Sequence, residues 1–137
     1  MSRHIEVTFC DDIREEVGGK LSFMGIYSGD MIVPGFPVVL PKLCININVV
    51  SPIDEPVVEL LQVSLYQDGL DSPILTDGPF PVVTLPDKDG GGIWHLVQMT
   101  LVLSPFQIDN ATTLRVIVET ESGKLRGRSL GIVCSNR

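Results

Sequence analysis

The chain has 137 residues, 44% hydrophobic and 20% charged, with 17 acidic against 10 basic side chains for a net charge of −7. This size and mix belong to one globular domain with a real core and exclude a disordered chain. Lys and Arg are scattered apart from Lys124, Arg126 and Arg128, which argues against a nucleic-acid groove, since that needs a clustered basic face.

No apolar run reaches the roughly 20 residues that span a bilayer, because Asn46, Gln62, Gln98 and Thr100 interrupt the longest ones. Neither does an apolar h-region follow Met1, so residues 1–137 are read as one mature domain, cytoplasmic by default.

Strands are read from period-2 alternation bounded by Gly, Pro, Asn and Asp. Ile5, Val7 and Phe9 alternate with Glu6, Thr8 and Cys10 as a first strand with one buried face. Asp11 to Glu16 is too short for an independent helix and is read as strand end plus loop. Gly18-Gly19 turns the chain into Lys20 to Tyr27, where Leu21 and Phe23 share a face.

Ser28 to Pro41 is more apolar than a loop should be, carrying Met31, Ile32, Val33, Phe36, Val38, Val39 and Leu40. Pro34, Gly35, Pro37 and Pro41 obstruct regular pairing there, so the segment is expected to pack over an end of the sandwich or to form an oligomer interface.

Leu43, Ile45, Ile47 and Val49 alternate with Cys44, Asn46 and Asn48 in the cleanest strand of the chain. Val57 to Gln67 follows, with Leu61, Val63 and Leu65 assigned to one face and Leu60 to the other, and Asp68-Gly69 closes it. Ile74-Leu75 and Phe80 to Leu85, hemmed by prolines, read as edge strands or extended loop. Trp94 to Phe106 alternates again, placing His95, Val97, Met99, Leu101 and Leu103 on one face. Leu114, Val116 and Val118 then precede Ser122-Gly123 and a return strand to Cys134, a hairpin.

Seven or eight strands without a helix-period segment specify an all-β fold, an antiparallel β-sandwich of immunoglobulin-like or C2-like type. The predicted core comprises Ile5, Val7, Phe9, Leu21, Phe23, Ile45, Ile47, Leu61, Val63, Leu65, Val97, Met99, Leu101, Leu114, Val116, Val118, Leu130 and Ile132.

The run from Phe9-Cys10-Asp11-Asp12-Ile13-Arg14-Glu15-Glu16 through Gly18-Gly19-Lys20-Leu21 to Gly25-Ile26-Tyr27 resembles the opening of a family of small bacterial and phage-borne domains of unknown function. Phe36-Pro37, Pro41-Lys42-Leu43 and the strand ending in Asp68-Gly69 are similar too. The resemblance implies a compact β-sandwich and brings no catalytic or binding residues with it.

The chemistry-bearing residues are few. Cys10, Cys44 and Cys134 form no CxxC pair and no zinc spacing; they are read as small buried or half-buried side chains, with a reactive or intermolecular thiol as the alternative. Only His4 and His95 could serve as bases, and His95 shares its face with Val97 and Met99. Asp68, Asp71, Asp77, Asp87 and Asp89 invite a calcium reading, but Gln98 stands where an EF-hand would have its closing Glu, so solvated turns are preferred. Gly90-Gly91-Gly92 leads into a strand and not a helix, so it is no phosphate cradle.

No cofactor and no metal are expected, and an enzyme is not. What remains is a non-catalytic protein-interaction module, or a structural subunit, for instance of a phage particle. Its partner is then a protein or a second copy, with neither nucleic acid nor membrane involved. The candidate contact residues are the acidic cluster Asp11, Asp12, Glu15 and Glu16, the apolar Ile32, Val33, Phe36 and Val39, and the single Trp94 beside the glycine run.

Overall fold

The computed structural model describes residues 2–82 and 94–135. Among these the fold is all-β, with twelve strands: β1 (His4–Glu15), β2 (Leu21–Ile26), β3 (Met31–Val33), β4 (Val38–Leu40), β5 (Leu43–Pro52), β6 (Leu60–Gln67), β7 (Leu75–Asp77), β8 (Trp94–Leu103), β9 (Phe106–Ile108), β10 (Thr112–Thr120), β11 (Gly123–Arg126) and β12 (Leu130–Cys134). Eight of them have four or more residues; β3, β4, β7 and β9 have three each and raise the total above the seven or eight expected. These short strands lie where prolines or a second register interrupt the alternation, so periodicity alone does not reveal them.

One sheet has the order β2-β1-β5-β8. The other runs β3-β12-β10-β6-β7, with β11 also paired to β10, and β4-β9 forms a small separate ribbon. All the pairs described are antiparallel except β12–β3.

The two sheets share a single core. From the first sheet Ile5, Val7, Phe9, Ile45, Ile47 and Val49 point inward; from the second come Val63, Leu65, Leu114, Val116, Val118, Leu130 and Ile132. In register, Val7 opposes Ile47, which opposes Met99 on β8, so the rows of inward side chains run straight across three strands.

Several core assignments shift. Leu61 is exposed and Leu60 is buried, the reverse of strict alternation. The cause is a bulge: Glu119 pairs with Gln62 but Thr120 pairs with Leu60, so Leu61 is the extra residue and is turned out to solvent. Leu21 and Phe23 are half-buried and lie outside the sandwich core. Val57, just before β6, is buried although it is not in a strand.

The apolar Ser28 to Pro41 segment packs on its own sandwich. Met31 and Val33 are buried, Phe36, Val38 and Leu40 pack on the core, and Ile32 and Val39 point outward. Its prolines limit it to two three-residue edge strands, one on β12 and one on β9.

The bulge predicts an asymmetry that periodicity does not. Leu60→Ala should destabilise by about 2–5 kcal/mol, whereas Leu61→Ala should cost less than about 1 kcal/mol. Urea unfolding of both variants checks this, and equal losses would mean that the bulge is misplaced.

Candidate interaction surface

Strand β1 is longer than its place in the sheet requires. Residues 4–10 pair with β5, and residues 10–15 pair with β2. The acidic run, read as strand end plus loop, is strand as far as Glu15, carried on a two-stranded ribbon that turns at Gly18 and Gly19, whose φ values are +88° and +76°.

The ribbon folds back over the outer face of its own sheet. Glu15, Glu16, Gly19, Lys20 and Leu21 line a depression together with Gln98, which sits on β8 opposite Asn48 and points away from the core. The outward side chains of β5 are covered accordingly: Cys44 and Asn46 are 1% exposed and Val50 is 7% exposed. Ile13, Leu21 and Phe23, half-buried and outside the core, give this ribbon its apolar content.

The bend is built by three residues of the opening motif. Gly25 has φ +70°, and a Cβ there would lie 2.2 Å from Asp11 Oδ2, so only glycine admits the Asp11 carboxylate. That carboxylate accepts a hydrogen bond from the Tyr27 hydroxyl, and the Tyr27 amide donates to the Phe9 carbonyl at 2.9 Å. Burial, then the Asp11 contact, pushes the Tyr27 phenol up to about 12, which keeps it a donor at any physiological pH.

The other acids are also engaged. Asp12 accepts from Lys42 Nζ at 2.7 Å, and this hydrogen bond holds its carboxyl below the usual carboxylate range. Glu16 Oε1 accepts from Arg14 Nε at 2.8 Å and from Ser22 Oγ at 3.0 Å. Glu15 is exposed. At the tip Val17 is 94% exposed, an apolar side chain held in solvent by a braced ribbon.

The remaining contact residues do not join this cluster. Ile32 lies on the β3 edge of the six-stranded sheet and Val39 on the β4–β9 ribbon. Val33 is a correction: it alternates inward and is 4% exposed, so it belongs to the core, and Phe36 is half-buried against it. Trp94 opens β8, half-buried, with its ring edge-on to His4 at a centroid separation of 6.1 Å. Asp87, Asp89 and the glycine run lie outside the described residues.

The thiols are placed for packing. Cys10 and Cys44 are register partners on β1 and β5, both buried beneath the ribbon, and all three cysteines are free. Burial, then the Cys44 neighbour, pushes the Cys10 thiol up to about 11, so it is protonated and a poor nucleophile at neutral pH. His95 Nδ1 accepts from the Val57 amide at 3.3 Å, which commits one ring nitrogen to a structural bond.

A network absent from the sequence reading ties the opposite end together. Arg3 donates to Ser51 Oγ at 3.1 Å, to Thr120 Oγ1 at 3.0 Å, to Ser122 Oγ at 2.9 Å and to the carbonyls of Glu55 and Pro56 at 3.2 Å, and it pairs with Glu121. Glu121 in turn accepts from the amides of Val58 at 2.7 Å and Glu59 at 3.0 Å. An isolated Arg near a terminus gives no signal of this, since its partners come from segments far away in the chain.

An open apolar cleft of about 520 Å³ lies beside the bulge, lined by Val58, Leu61, Phe80 and Val82, with Phe80 bridged to Leu60. Among the described residues no cluster of His, Cys, Asp and Glu could hold a metal ion, and no helix is long and apolar enough to cross a membrane.

A model of a family of unknown function (DUF6941) matches residues 6–133, from within β1 to within β12. The chain belongs to this family. The matched span takes in the ribbon, both sheets and the Asp11, Gly25 and Tyr27 bend. No curated protein and no solved structure matches the chain.

Two measurements test this geometry. In a thiol-labelling pulse at neutral pH, half-buried Cys134 should react first, with Cys10 and Cys44 labelled only on unfolding; early labelling of Cys44 would mean that the ribbon does not cover β5.

The second concerns Glu121. Burial alone would raise its pKa, but the Arg3 hydrogen bond and those from the Glu59 and Val58 amides outweigh it and hold the group below its ordinary 4.5. A depressed folded pKa adds stability above the unfolded value and loses it as pH falls through the folded one. Glu121→Gln should therefore flatten part of the acid-side loss of stability, and Arg3→Ala should cost about 3 kcal/mol at neutral pH. Unchanged acid titration curves would contradict the assignment.

Proposed function

We propose that this chain is a non-catalytic protein-interaction module, a cytoplasmic domain of bacterial or phage origin, that engages its partner through the tip of the β1–β2 ribbon. The observation that carries this reading is Val17, 94% exposed at the end of a ribbon on which Asp11, Asp12 and Glu16 are each hydrogen-bonded within the chain. A rigid, projecting apolar residue with Glu15 and Lys20 beside it binds at low entropic cost, because the ribbon is already ordered before contact. Internal pairing of Asp11, Asp12 and Glu16 makes those carboxylates supports for the ribbon more than charges offered to a basic partner.

An enzyme built on a Cys and His pair is the weakest reading. A protonated, buried Cys10 and a His95 ring bonded to the Val57 amide are poor starting points for nucleophilic catalysis. A structural or assembly subunit, a virion component where the chain is phage-borne, is favoured by one separate feature: the uncharged outer strand β8.

Photo-crosslinking in the native host tests the interaction reading. A benzophenone side chain at position 17 should give one discrete adduct with another protein, at least tenfold more abundant than from a control probe at the exposed Arg115. Reversal of the neighbouring charge by Glu15→Lys should reduce it. No adduct, or equal adducts from both positions, would reject the ribbon tip as the contact.

A further inference from the structure

Strand β8 closes the four-stranded sheet on one side. It pairs with β5 over ten consecutive residues without a register shift, from Leu43 opposite Leu103 to Pro52 opposite Trp94. Among the described residues nothing pairs with its other edge. Sheet edges are normally blunted by charge, proline, bulges or brevity. Trp94–Leu103 has none of these: it contains no Lys, Arg, Asp, Glu, Pro or Gly, although the chain carries a net charge of −7.

The core also thins toward this edge. Of its inward residues Leu101 is buried, whereas Val97, Met99 and Leu103 remain half-buried beside the wholly buried Val49, Ile47 and Leu43 of β5. On the outer face Leu96 is 57% exposed and Val102 is 53% exposed. An uncharged edge strand with no register shift and exposed apolar side chains suits the addition of another strand.

We propose that this strand is β8 of a second copy, paired antiparallel about a two-fold axis through Met99, so that two four-stranded sheets join into one of eight. The side-chain pattern selects both the occupant and the register. With the axis at Met99, Leu96 lies opposite Val102 of the second copy, Gln98 opposite Thr100, and Val97 opposite Leu101, so around the axis apolar meets apolar and polar meets polar; the one mismatch sets His95 opposite Leu103 at the strand ends. Moving the axis to Gln98 sets Leu96 against Thr100; moving it to Thr100 sets Gln98 against Val102. An axis between two residues would oppose an outward side chain with an inward one, which the pleat forbids. A strand that matches its own reverse in this way fits an isologous dimer.

Sedimentation equilibrium of the full chain across a concentration series tests the proposal, with far-UV circular dichroism to establish that each variant is folded. Wild type should sediment as a reversible dimer. Val102→Lys places an ammonium against Leu96 of the second copy and should weaken the dimer at least tenfold. Adding Leu96→Glu to the same chain sets a carboxylate opposite each ammonium across the axis and should restore it to within about threefold of wild type. A folded wild type that stays monomeric at every concentration overturns the proposal, and β8 amides already protected from hydrogen exchange in that monomer would show the edge taken within the chain. A dimer indifferent to Val102→Lys, or one that the second change does not rescue, overturns the interface or its register.

Discussion

Strand β5 is buried on both faces, and the rest of the molecule is arranged to meet that requirement. Its inward residues Leu43, Ile45, Ile47 and Val49 are met by the six-stranded sheet, as in any sandwich. Its outward residues Cys44, Asn46 and Val50 need a second cover, and β1 supplies it by running past the sheet edge and returning as the β1–β2 ribbon. The sharp return depends on a backbone that only Gly25 permits and on the Asp11 carboxylate held by Tyr27. The cost of this second cover is polar: Asn46 sits beside Thr100 at 3.5 Å, and Asn48 Oδ1 is buried without a partner among the described residues.

The far end of the sandwich is held by different physics. Arg3 reaches across from the start of β1 to the end of β5, the 55–59 segment and the β10–β11 turn, so one guanidinium satisfies groups from both sheets. Its side chain is 10% exposed, and that of Glu121 is 27% exposed, which leaves the pair less screened than a surface salt bridge. Apolar packing supplies most of the stability, and this network sets how the two sheets meet at their ends.

The two proposed contact surfaces follow from the same layout. Folding the ribbon back leaves its tip in solvent, which is why Val17 has nothing to pack on. The order β2-β1-β5-β8 makes β2 and β8 the terminal strands of this sheet, so among the described residues the outer edge of β8 has no partner. The proposed tip contact and the proposed edge pairing adjoin, since ribbon residues line one depression with Gln98, next to Met99 on β8, and a dimer would display two ribbons related by its two-fold axis.

The sequence by itself determined the all-β class, the longer strands in outline except that the single return strand to Cys134 is two, β11 and β12, the turns at Gly18-Gly19, Asp68-Gly69 and Ser122-Gly123, and most of the inward rows, because alternation and turn chemistry are local signals. Free thiols buried or half-buried were legible for the same reason. Leu60 and Leu61 changed places through a bulge set by pairing with Glu119 and Thr120, about sixty residues away in the chain, which no window on β6 contains. Val33, read as surface, is core because β3 pairs in parallel with the last strand. The acidic run reads as a cluster of free charges because a sequence shows charges without their partners; only the fold brings Lys42 to Asp12 and Tyr27 to Asp11. Which strand lacks a neighbour is likewise a property of sheet order, decided by contacts distant along the chain, so the open β8 edge and the Arg3 hub became visible only in the tertiary structure.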